Sequence, residues 1–94
     1  MTGEQLEKIV RPLIAQLYPG YTGEDYARLA AKCRATYEEW AAANYTGARK
    51  AHNVKVVNVP STPPRYTMRL SFEAMGRIKT ADFEWTDTRK QAQP

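Results

Sequence analysis

The sequence predicts an α+β fold: two N-terminal helices packed on one face of a three-stranded, mostly antiparallel sheet (ααβββ). Two observations predict it. Apolar residues recur at helical spacing up to about Asn44 and at alternate positions from Val54 onward. Helices first and strands second is the chain order of an α+β domain rather than an alternating α/β one.

The first helix opens at Thr2 and Gln5, which have capping-box spacing. Leu6, Ile9, Val10, Leu13, Ile14 and Leu17 then form one apolar stripe. Pro12 interrupts it, lacks the N–H owed to the Lys8 carbonyl, and predicts a kink or break near Arg11. Tyr18-Pro19-Gly20 ends the element. A second helix begins at Thr22, with an acid three residues on and two acids in the first turn to suit the helix dipole. Its inward stripe is Tyr26, Leu29, Ala30, Cys33, Tyr37, Trp40 and Ala41, and Glu24 and Arg28 have the spacing of an i,i+4 pair.

Three strands follow. Residues 54–59 are β-branched and short, with His52 expected in a basic turn or loop just before them. The Pro-rich stretch 60–64 reads as a loop. Tyr66, Met68, Leu70, Phe72 and Ala74 alternate with Arg65, Thr67, Arg69, Ser71 and Glu73, the cleanest two-residue period in the chain. Met75-Gly76 predicts a turn. The returning strand, 77–86, carries Ala81, Phe83 and Trp85 on one face, with Ile78 out of phase, which predicts a bulge or a twist near Thr80. Residues 1–86 are expected to form one domain, with 87–94 a disordered polar tail.

Composition narrows the function. Ninety-four residues allow one core at most. That core must be thin: thirteen residues are Ala, and Leu, Ile, Val and Phe total only fifteen. Six Tyr and two Trp have to supplement it. One Cys and one His cannot build a four-ligand zinc site, and one Cys cannot make an internal disulfide. No phosphate-binding glycine loop and no other cofactor motif is present, so no cofactor is expected. The carboxylate pairs Glu24–Asp25 and Glu38–Glu39 diverge on a helix, and a Cys33–His52 dyad has no supporting spacing. The expectation is a non-enzyme. With no apolar run of membrane-spanning length and no signal-peptide pattern at the start, a cytoplasmic protein without membrane contact is expected.

Net charge is +4, carried by the second half of the chain. Such asymmetry points to an acidic partner, either nucleic acid or an acidic protein face. Arg65 and Arg69 share one strand face; Arg77, Lys79 and Lys55 are expected to join them in a basic platform, with Arg49, Lys50 and Tyr45 nearby in the segment before the first strand. Tyr18, Tyr21, Tyr45 and Tyr66 fall at element ends, as rim plugs of a thin core or as interface residues. In size and lack of motif the chain looks like the small accessory proteins of phages and mobile elements, including those that block host defence enzymes such as CRISPR effectors. That is a likeness of kind, with no family motif behind it. The resulting expectation is a protein-binding module, an inhibitor or modulator of a nucleic-acid-handling enzyme. The alternative is direct nucleic-acid binding through the basic sheet face, against which the strand aromatics face the core rather than the basic side. A third expectation is a homodimer formed through the edge strand 54–59.

Overall fold

A computed structural model describes residues 1–43, 51–61 and 65–86. Its elements are α1 (Gly3–Leu17), α2 (Gly23–Ala43), β1 (Ala51–Val59), β2 (Arg65–Ala74) and β3 (Arg77–Thr86). The fold is α+β, with the helices packed against one face of an antiparallel sheet in the order β1-β2-β3. The expected tail at 87–94, and the basic turn at 46–50, lie outside the described residues.

α1 starts as its cap requires. The Gln5 N–H donates to Thr2 Oγ1 at 3.1 Å, and the Thr2 N–H donates to Gln5 Oε1 at 2.9 Å. The helix runs through Pro12 without a break. Pro12 and Lys8 are both exposed, so the carbonyl deprived of its partner faces water rather than the core. Leu6, Val10 and Ile14 are fully buried, whereas Ile9 is 42% exposed and departs from the expected stripe. Its position lies at the margin of the apolar arc, outside the buried cluster.

α2 begins at a reciprocal cap: the Asp25 N–H donates to Thr22 Oγ1 at 3.1 Å, and that hydroxyl donates to Asp25 Oδ2 at 3.0 Å. Arg28 pairs with Asp25 Oδ1 at 2.8 Å, three residues away, rather than with Glu24. The cap has already turned the Asp25 carboxylate along the helix surface, within reach of Arg28. Leu29, Ala30, Cys33 and Tyr37 form the buried stripe, with Tyr26, Trp40 and Ala41 at its margins.

β1 starts at Ala51, three residues before the expected Val54, because Ala51 pairs with Ala74 of the longer β2. His52 therefore lies in a strand and not in a loop; it is the extra residue of a β-bulge between Ala51 and Asn53. β2 and β3 pair without interruption from Ala74–Arg77 to Arg65–Thr86. Of the bulge or twist expected near Thr80, the bulge is absent. Ile78 is instead on the face away from the helices, 71% exposed, and Lys79 shares the helix-facing side with Ala81, Phe83 and Trp85. Met75 and Gly76 make the turn with φ of 52° and 78°, the positive pair that a two-residue hairpin of matching twist requires.

The core is one cluster in which α1 and α2 meet the inner face of the sheet. Aromatic rings fill what aliphatic residues are too few to fill. Phe72 packs edge-on to Tyr37 and Trp40, with centroids 5.3 Å away in each case. At the other end Tyr18 meets Trp85 edge-on at 4.9 Å, and Tyr21 stands beside Tyr18. Tyr18 and Tyr21 are buried, so both plug the core rim. Their polar ends are used: Tyr18 Oη donates to Asn58 Oδ1 at 3.1 Å, and Tyr37 Oη donates to the Met1 carbonyl at 2.7 Å.

Candidate functional site

The face of the sheet turned away from the helices is the open surface of this fold. It presents Lys55 and Val57 from β1, Arg65, Thr67, Arg69, Ser71 and Glu73 from β2, and Ile78, Thr80, Asp82 and Glu84 from β3. Antiparallel registry places them there, because residues opposite each other point to the same side.

Three expected platform residues, Lys55, Arg65 and Arg69, do share this face. Arg77 and Lys79 do not: both have the parity of the helix-facing side, and Lys79 lines a groove with Thr36, Glu39, Trp40 and Ala43 at the end of α2. Tyr45, Arg49 and Lys50 lie outside the described residues.

The arginines on the open face are already occupied. Arg69 holds Asp82 with two bonds, Nε to Oδ1 at 2.8 Å and Nη2 to Oδ2 at 3.1 Å. Arg65 Nη2 reaches Glu84 Oε2 at 2.6 Å. The bond from Arg69, with its charge, holds the Asp82 carboxyl below the usual carboxylate range, and Asp82 in turn raises the guanidinium. This face carries three basic residues, Lys55, Arg65 and Arg69, and three acidic ones, Glu73, Asp82 and Glu84. The described residues as a whole carry ten Lys or Arg and nine Asp or Glu, so most of the +4 belongs to residues outside them.

Sequence reasoning missed these acids as partners, although a signal existed. A two-residue turn at Met75-Gly76 pairs Ala74 with Arg77; counting five residues along each strand from that pair brings Arg69 opposite Asp82. Between the charges lie hydroxyls and exposed apolar groups. Ser71 and Thr80 hydroxyls are 3.4 Å apart, Val57 is 44% exposed, and Ile78 borders a shallow concavity of about 350 Å³ with Asn53, Lys55 and Glu73.

Other titratable groups lie elsewhere. Cys33 is fully buried in the core, and burial pushes its thiol up to about 12, far from a thiolate nucleophile at neutral pH. His52 is exposed on β1. Among the described residues no three His, Cys, Asp or Glu side chains converge to hold a metal, and no helix is long and apolar enough to cross a membrane. Compared with known proteins, the chain matches no family model, no curated protein and no solved structure.

Proposed function

We propose that the chain is a small non-enzymatic protein-binding module that docks through the open face of its sheet. The observation that carries this reading is the neutralisation of that face. A phosphate backbone would have to displace Asp82 from Arg69 and Glu84 from Arg65 before either guanidinium could bind it. A protein surface needs no such exchange: it can meet paired ions at the rim and bury Val57 and Ile78.

The face is small. Three strands at about 4.8 Å spacing and about 30 Å length give roughly 450 Å², about half of what a standard interface takes from each partner. The partner therefore also reaches around a sheet edge, or meets the face of more than one copy. The narrower reading, a modulator of a nucleic-acid-handling enzyme of the kind phages carry against host defence, is supported by the chain's small size and its overall basic charge.

Two baits and one titration test the proposal. Wild-type protein and an Ile78→Asp variant are used for affinity capture from the source cell, and anisotropy of labelled DNA and RNA is followed at low and physiological salt. A protein retained by wild type and lost by Ile78→Asp, with flat titrations, is the expected result. Tight binding that falls steeply with salt would reinstate direct nucleic-acid binding.

A further inference from the structure

β1 is an edge strand, and the helix above it overhangs that edge with an uncharged flank. α1 packs on β1. Its end is tied to Asn58 through Tyr18, and its start lies near Val54 through Tyr37, which bonds Met1 and packs on Phe72, the neighbour of Val54. α2 occupies the other side, where Arg34 holds Glu7 at 3.2 Å and Trp40 lies over Phe72 and beside Lys79. The flank of α1 opposite Glu7 therefore lies above the edge of β1 that no other described strand pairs with. At about 100° per residue it carries Gln5, Ile9, Pro12, Leu13 and Gln16, none of them charged. The charged residues of α1 are all on the α2 side, where Glu4, Glu7, Lys8 and Arg11 line one concavity with Arg34.

We propose that a second copy of this chain occupies that edge: β1 pairs antiparallel with its own copy around a two-fold axis through Val56. The result is a continuous six-stranded sheet, with Leu13 and Ile9 of the two copies packed across the seam. Three observations select this register. The bulge at His52 leaves Asn53–Val59 as the regular stretch, and Val56 is its midpoint. Around Val56, Lys55 meets the second copy's Val57 and Val54 meets the second copy's Asn58, with no like charges opposed. Centring on Lys55 instead would set two ammonium groups against each other, and centring on Val57 would set Val54 against Pro60, which has no N–H to give. The helix agrees. Val56 is two residues, about 7 Å, short of Asn58; the same distance back from Tyr18 at about 1.5 Å per residue reaches Leu13. The pairing also doubles the open sheet face on one side of the assembly.

Light scattering and sedimentation equilibrium of wild type, Ile9→Glu and Val57→Glu through the hundreds of micromolar test this. Wild type is expected at twice the 10.7 kDa chain mass. Ile9→Glu is expected at the single-chain mass with an unchanged far-ultraviolet dichroism spectrum, since Ile9 lies outside the core. Val57→Glu sets a carboxylate opposite the second copy's Lys55 and is expected to tighten the dimer several-fold. A wild-type monomer across the whole range, or an Ile9→Glu dimer as tight as wild type, overturns the proposal; a Val57→Glu variant that dissociates overturns the register. A monomer would leave the partner-binding reading intact, because the Ile78→Asp bait tests that separately.

Discussion

Arg69 and Asp82 stand directly opposite each other on β2 and β3 and are joined by two parallel hydrogen bonds. The contact lowers the Asp82 pKa in the folded state, chiefly through the Arg69 hydrogen bond. A depressed carboxyl contributes stability that is present above its unfolded value of about 3.9 and is lost as pH falls through the folded value. Wild type is therefore expected to lose melting temperature more steeply below about pH 4 than Asp82→Asn does. Both side chains are nearly half exposed, so added salt should shrink the difference. Parallel melting curves for the two proteins across that range would remove the pair from the account.

Cys33 behaves as a core residue. With its thiol pushed up to about 12 by burial, it should resist alkylation at pH 8 in the native protein and react at once in denaturant. The raised value also has a stability consequence. Its contribution is complete below the unfolded thiol pKa of about 8.5 and is lost as pH rises through that value toward the folded one. Labelling rate against urea concentration, followed by mass spectrometry, would read both. Prompt native-state labelling would contradict the burial.

Met75 holds a left-handed backbone, φ 52°, in the hairpin turn. A side chain with a Cβ is strained there, and among residues that have one Asn tolerates the conformation best. Met75→Asn is expected to stabilise the fold by about 0.5–1 kcal/mol, read as a higher urea midpoint at constant m-value.

Gly3 and Gly23 each open a helix, yet their surroundings differ. A Cβ on Gly23 would meet nothing within 4 Å, whereas one on Gly3 would lie 2.5 Å from Glu38 Oε2. Ala in place of Gly in a helix is worth up to about 1 kcal/mol. Gly23→Ala should realise part of it. Gly3→Ala should gain less, because Glu38 must move and weaken its 3.4 Å contact with Arg34. Thermal unfolding of the two variants gives the comparison directly, and equal gains would show that Glu38 moves at no cost.

What could be read from the chain followed the strength of local patterns. The stripe Leu6, Val10, Ile14 and the alternation Met68, Leu70, Phe72 were legible because burial on one side imposes a period, and the Thr2 and Thr22 caps because their bonding is local. Ile78 misled: an apolar residue on a wet face breaks the alternation without any bulge in the backbone. The start of β1 was invisible, since Ala51 and His52 have little strand preference of their own and join the sheet only because β2 is there to pair with. The open face was misjudged as basic for a related reason. Charge along one strand says little until the neighbouring strand's register is known: Asp82, directly opposite Arg69, lies 13 residues further on, and Glu84, diagonal to Arg65, lies 19 residues further on.

The strands lie side by side in the order in which they are synthesised, and this governs how the chain reaches its native state. A hairpin closed by two residues zips in about 1–10 μs, so β2 and β3 can be in place long before the rest. α1 must also return to β1, across the 40 positions that separate Tyr18 from Asn58. The entropy of closing such a loop grows only with the logarithm of its length. The search is therefore short, and mixed α/β chains with this kind of neighbour-on-neighbour wiring fold between the microseconds of helical bundles and the seconds of sandwiches. During that interval the helix-facing side of the hairpin, Leu70, Phe72 and Phe83, is bare, and the speed of helix docking limits how long it can recruit a stray chain.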